Sequence, residues 1–280
     1  MRTLPKPTLS PKAVYLACIS KVRRKQLKTN LESVADKIEA DSMDYDNHAG
    51  STNWYLFNES DGIEGVVSQA EIEKVYTNRM AKKGAPGRTY YDEIKESSAF
   101  NICPLCGHRT VEQLDHYLPK SKFPSLVVLP LNLVPSCEKC NKIKLDDAPS
   151  NAEEQTLHPY YDDVTAHQWL FAEVRETSPA SFRFFVRSVA AFDDELNARI
   201  NYHFETLELG VLYASQTGAF VSDIRYRLID LHTKAGMNEV RSYLREEEET
   251  RCRNNINSWQ RAMFQALADN DWFCDGGFKV

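Results

Sequence analysis

The sequence predicts an α+β protein, mainly α, in which helical N- and C-terminal regions flank a small metal-organised module. Three observations lead there. Most of residues 11–98, apart from a turn-rich stretch over 51–61, and residues 193–269 read as helices. Residues 100–165 lack helical periodicity and are dense in Pro, Cys, Asn, Asp and Lys. Residues 167–176 and 181–189 read as two strands joined by Thr-Ser-Pro-Ala, a hairpin pattern. The 280 residues therefore divide into a helical region 1–99, a module 100–165 and a hairpin-plus-helices region 166–280.

In order along the chain, a helix opening on Pro11 is expected to run to about Lys28, with a second over about 30–45. Residues 51–61 are turn-rich and aromatic. Ser68-Gln-Ala-Glu71 has the spacing of a capping box ahead of Ile72, Val75 and Met80. That helix should stop near Gly84-Ala-Pro-Gly87, and a short helix over 88–98 should deliver the chain to Cys103. In the C-terminal region breaks are expected near Gly218 and Gly236, and Phe220, Tyr226 and Trp259 are expected in the core.

The chain is long enough to bury a core without covalent staples. It has no run of about 18 apolar residues, and its basic N-terminus lacks the apolar centre of a signal peptide. A cytoplasmic location is the expectation. The formal charge of −6 is not that of a protein gripping nucleic acid by net charge alone. The charge is uneven, however. Residues 1–31 hold eight Lys/Arg and no acid, and Glu246–Glu249 is an acidic run. The basic arm suits a phosphate backbone or an acidic partner.

Four of the seven cysteines form two pairs of equal spacing, Cys103/Cys106 and Cys137/Cys140. Two such knuckles can supply four thiolates to one tetrahedral Zn²⁺, a closed and hence structural site. Gly107 follows the first knuckle, where the chain must turn. The 30 residues between Cys106 and Cys137 exceed those of a plain zinc ribbon and carry Asp115, His116 and Asn132. Asn141 and Lys144, after the last cysteine, would share a helix face. Cys18, Cys252 and Cys274 read as ordinary thiols.

The ordered segments CPLCG, LDH, LNLVPSC and EKCNKIK, over about Cys103–Lys144, resemble an HNH endonuclease of the His-Me finger (ββα-metal) group. The resemblance implies a two-stranded hairpin and one helix around a single catalytic metal, here clamped by zinc. By position it implies that Asp115 is a metal ligand, His116 the general base, Asn132 a positioning residue and Asn141 the second ligand. The reading His116-Asn132-Asn141 departs from a literal His-Asn-His, and an amide oxygen ligand favours Mg²⁺ or Mn²⁺. MRTLPKP, LDHYLPKSKFP and LHPYYD further resemble the HNH subunit of Septu-type, PtuB-like anti-phage systems, including retron-associated ones. That resemblance implies a DNA substrate and an ABC/SMC-like ATPase partner.

The chemistry is coherent for phosphodiester hydrolysis. It needs an activated water and a cation for developing charge, and an imidazole titrates near neutrality. Residues 101–144 carry six Lys/Arg against three acids, and Lys120, Lys122 and Lys144 are the candidate phosphate contacts. His158, in LHPYYD, is a further candidate for the site. A stand-alone restriction-type nuclease and an RNase remain open. So does a different class, a zinc-ordered binding module without catalysis.

Overall fold

The computed structural model describes residues 1–144 and 148–279; residues 145–147 of the expected module lie outside it. The chain is mainly helical with three small antiparallel sheets among the described residues. It divides into two compact units, Met1–Asp162 and Asp163–Val280.

In the first unit, helices α1 (Pro11–Ile19), α2 (Lys25–Ser33), α3 (Ala35–Gly50), α4 (Gln69–Tyr76) and α5 (Arg88–Glu96) precede the module. A two-residue ladder, β1 (Gly62–Ile63) and β2 (Val67–Ser68), leads into α4. In the module, β3 (Gln113–His116) pairs antiparallel with β4 (Leu133–Ser136), setting His116 opposite Leu133 and Asp115 opposite Val134. Helix α6 (Glu138–Lys144) follows at once. One core joins helices and module: Val14, Ile38, Ile72, Val75 and Met80 pack in the same cluster as Leu114, Val127, Val128 and Leu133. Burying each such side chain contributes about 1.5–3 kcal/mol, so the hairpin is anchored on the helices that precede it.

Several boundaries differ from expectation. The first helix ends at Ile19, and a second begins at Lys25. Folding back there lets the Tyr15 hydroxyl donate to the Leu31 carbonyl at 2.9 Å; one straight helix would separate those residues by about 24 Å. The next break falls at Val34, not near residue 30. Ser68 does cap α4 by position, but its hydroxyl makes no capping bond. Glu71, the other half of the expected box, pairs with Arg24 at 2.5 Å instead.

In the second unit, β5 (Leu170–Arg175) and β6 (Ser181–Val186) form the expected hairpin. Phe182 and Phe184 point inward, and on the other face Phe171 and Phe185 stack at 6.2 Å. Four helices follow: α7 (Asp194–Thr206), α8 (Leu209–Ala235), α9 (Met237–Asn254) and α10 (Trp259–Asp269). Gly236 sits at φ +76° between α8 and α9, a conformation that favours glycine. Gly218 does not break the helix. It is exposed, and a glycine there costs only about 1 kcal/mol, too little to interrupt 27 residues held by Leu212, Tyr213 and Leu228. The break comes instead at Glu208, φ +52°. Trp259 is buried as expected and Phe220 is half-buried, but Tyr226 is 84% exposed and not core.

Asn257 ties this unit together. Its Oδ1 accepts from the Trp169 and Leu170 amides (2.9 and 3.3 Å), and its Nδ2 donates to the Val164 and His167 carbonyls (3.1 and 2.9 Å). Asn257→Ala strands three of the four, since the Val164 carbonyl keeps the Trp169 indole N–H at 3.1 Å, and should destabilise the protein by about 2–4 kcal/mol. Differential scanning calorimetry checks this, and an unchanged profile contradicts it.

Candidate active site and metal centre

The four paired cysteines converge. Their sulfurs all lie within 4.8 Å of one another, and all four residues are buried. A tetrahedral Zn²⁺ with bonds of about 2.3 Å requires sulfur separations of about 3.8 Å, so this donor set fits a structural zinc. The local backbone supports it. The Arg109 amide donates to Cys106 Sγ and the Cys140 amide to Cys137 Sγ, each at 3.4 Å. Gly107 takes φ +62° to complete the first knuckle. Cys103 opens its knuckle by donating its amide to the Arg109 carbonyl at 2.7 Å. The four thiols titrate as one set, with Cys106 and Cys137 lowered and Cys103 and Cys140 raised by their mutual contacts. The first knuckle precedes β3 and the second opens α6, so a shared ion fixes helix to hairpin. The Glu112 carboxylate adds a cap by accepting from the Glu138 amide at 2.8 Å.

Strand β3 ends at His116, and the chain bends through Tyr117 and Leu118. Two features impose this. The Tyr117 amide donates to the Asn132 carbonyl at 2.8 Å. Asn132, fully buried, then clamps the turn with its side chain: Oδ1 accepts from the Leu118 amide (2.7 Å), while Nδ2 donates to the Leu118 (3.0 Å) and Leu126 (3.3 Å) carbonyls. The next residue, Val127, offers its carbonyl to His116 Nε2 at 2.9 Å. A carbonyl only accepts, so Nε2 carries the hydrogen and Nδ1 keeps its lone pair. Burial lowers the imidazole pKa to about 3, so the ring is neutral at ordinary pH. The Tyr76 ring packs edge-on against it at 4.4 Å, and the Tyr76 hydroxyl donates to the Leu114 carbonyl at 3.2 Å.

Asp115 is buried, and desolvation raises its pKa although Lys144 opposes that. Its carboxylate is 3.4 Å from Lys144 Nζ and accepts from the His116 amide. It therefore lies at the same strand end as the imidazole. Lys144 is placed otherwise than expected. Its ammonium is buried and donates to the His116 and Tyr117 carbonyls at 2.5 and 2.7 Å. With Asp115 as third partner its donors are taken, so it joins α6 to β3 rather than standing ready for phosphate. Asn141, three residues earlier, shares that α6 face and is half-buried. Lys120 is half-buried and close enough for its charge to act on both Asp115 and His116. Lys122 pairs with Glu59 at 3.0 Å.

His158 takes another role than the one expected. It is fully buried, with Nε2 3.1 Å from the Tyr45 hydroxyl and Nδ1 accepting from the Tyr160 amide at 3.2 Å. Trp54 stacks on it at 5.1 Å and Tyr117 lies 4.3 Å away. Both nitrogens are satisfied, so it packs behind the strand end. Tyr76 and the Val127 carbonyl escaped sequence reasoning. Tyr76 has the spacing of an ordinary core residue, and a backbone carbonyl leaves no sequence signal.

Among the described residues no helix is long and apolar enough to cross a membrane. No protein-family model matches the chain, and no solved structure matches it. Septu protein PtuB of Bacillus thuringiensis is 34% identical over 90 residues, 30% of this chain and 34% of that one. Protein ea31 of Escherichia phage lambda is 31% identical over 228 residues, covering 76% of this chain and 77% of its own length. With a match of that extent, a mainly helical chain bearing a four-cysteine centre beside an Asp-His strand end belongs to the family of phage lambda protein ea31.

Proposed function

We propose that the protein is a metal-dependent HNH-type endonuclease that cleaves DNA phosphodiester bonds. The observation that carries this reading is the neutral, oriented His116 beside Asp115 at the end of a hairpin strand. His116 Nε2 is committed to Val127, which leaves Nδ1 to take a proton from an attacking water. Asn132 shapes the loop that presents the Val127 carbonyl and so fixes the imidazole indirectly. Asp115 and Asn141 are the residues that would hold Mg²⁺ or Mn²⁺, whose chemistry is to neutralise charge on the phosphate and the departing oxygen. Lys120 and Lys122 border the same loop and suit a phosphate strand. The partial likeness to Septu protein PtuB supports a place in an anti-phage complex with an ABC/SMC-like ATPase partner.

The direct test is incubation of the zinc-loaded chain, alone and with an ABC/SMC-like ATPase of a Septu-type system, with plasmid DNA and Mg²⁺ or Mn²⁺. Nicking or linearisation is expected. Intact DNA under every metal in both preparations sinks the reading and favours a non-catalytic module. Asn132→Ala strands the Leu118 amide and carbonyl and removes one of two donors to the Leu126 carbonyl, which keeps the Leu129 amide. It should cost about 2–4 kcal/mol and lower kcat at temperatures where the variant remains folded. Wild-type kcat with the expected loss of stability would leave Asn132 a purely structural residue.

A further inference from the structure

The turn between α1 and α2 and one side of α4 enclose a cavity of about 350 Å³, lined by Lys21, Arg23, Arg24, Lys74 and Arg79, with Glu71 as its single carboxylate. Glu71 is engaged by Arg24. Among the described residues Lys21, Arg23, Lys74 and Arg79 have no carboxylate within ion-pair distance. Five cations round one hollow, in a chain of net charge −6, repel one another, and a bound anion relieves that repulsion.

Arg79 adds an independent observation. Its Nη1 is buried and has no hydrogen-bond partner. It sits in a π turn, Thr77–Ala81, that continues α4. In strict α-helical register position 79 would fall on the buried face with Ile72 and Val75. The wide turn instead gives the core Met80, which is fully buried, and leaves Arg79 half-buried at the cavity. Such turns occur often at functional sites.

We infer that this cavity is a phosphate-binding subsite for the backbone of a nucleic acid lying across His116. The inference rests on the nuclease reading for which polymer carries the phosphates. The link between the two places is α4 itself. Glu71 and Lys74 line the cavity, and Tyr76 of the same helix touches the His116 ring. An eight-residue helix is about 12 Å long, the reach of roughly three or four phosphates at about 3.4 Å per strand step. Part of the basic N-terminal arm thus has a use: three of its eight cations, Lys21, Arg23 and Arg24, are gathered with Lys74 and Arg79.

The test measures binding without turnover. The zinc-loaded full chain carrying His116→Ala is titrated onto fluorescein-labelled duplex DNA, and onto duplex RNA of the same sequence, between about 50 and 200 mM salt. The comparison is a triple variant, Lys21→Glu, Arg23→Glu and Lys74→Glu, all exposed positions whose replacement leaves the core intact. Its affinity should fall at least about tenfold and its log–log salt slope should flatten by about 2 to 3, near 0.9 for each phosphate no longer neutralised. An equal charge change at Arg175, Arg225 and Arg227 in the second unit should have little effect. Pocket-dependent binding of either probe supports the subsite and names the polymer. An unchanged slope, an equal loss in the control triple, or no binding to either probe overturns it. Plasmid cleavage by the unsubstituted chain, alone and with the ATPase and run in parallel, separates the two ideas. Pocket-dependent binding without cleavage sinks the nuclease and spares the subsite; cleavage with pocket-independent binding does the reverse.

Discussion

His116→Ala should keep its zinc and lose phosphodiester cleavage by about 10²- to 10⁴-fold, the contribution of a positioned general base. Because His116 is buried against Tyr76 and bonded to Val127, alanine also opens a void and strands a carbonyl. His116→Gln isolates the chemistry. Its amide can still donate to the Val127 carbonyl, but it offers no basic nitrogen. Both variants should be comparably inactive, with the glutamine form the more stable by thermal melting. Cleavage near the wild-type rate in a folded His116→Gln chain would remove His116 from the mechanism.

Loss of the four-sulfur centre should have the largest effect on stability. Zinc at such a site contributes on the order of 10 kcal/mol in small zinc modules, comparable with the whole stability of a domain. Helix α6 has seven residues, far below the length that holds in water unaided. Without the shared ion it loses its main tie to the first knuckle, and Lys144 loses its place against Asp115. Cys137→Ser, or exhaustive chelation, should release about one zinc per chain, lower Tm by at least roughly 10 °C and abolish cleavage that Mg²⁺ alone does not restore. Cys252→Ser, at a half-exposed position outside the cluster, should change neither zinc content nor Tm. Elemental analysis and calorimetry check both, and full stability in zinc-free protein would refute a structural metal.

The parts of this fold that could be read from sequence are those with local causes. Equal cysteine spacing is such a cause, and the four sulfurs do gather. So is alternation around a turn, and β5–β6 forms within the expected limits. Misplaced features have distant causes. The break after Ile19 answers to a Tyr15 bond across 16 residues, and the helix through Gly218 answers to its buried face. Lys144 shows the same limit inside the site. Its sequence neighbours suggested a solvated cation near phosphate, but its partners are 27 to 29 positions away on the other side of the hairpin. Charge and spacing alone cannot show which cations are already committed.

The two cysteine knuckles also set an order of events during synthesis. Cys106, which completes the first knuckle, leaves the ribosome 31 residues before Cys137, which at about 5–20 residues per second is a delay of about 2 to 6 s. Throughout that interval the first knuckle is a dithiol with half a coordination shell, open to oxidation or to a competing thiophilic ion. The same interval carries Asp115 and His116 out of the ribosome ahead of β4 and α6. A nascent chain stalled before Cys137 thus has the acid and the imidazole but neither β4 nor α6 to hold them, so the proposed site can be assembled only after the second knuckle closes.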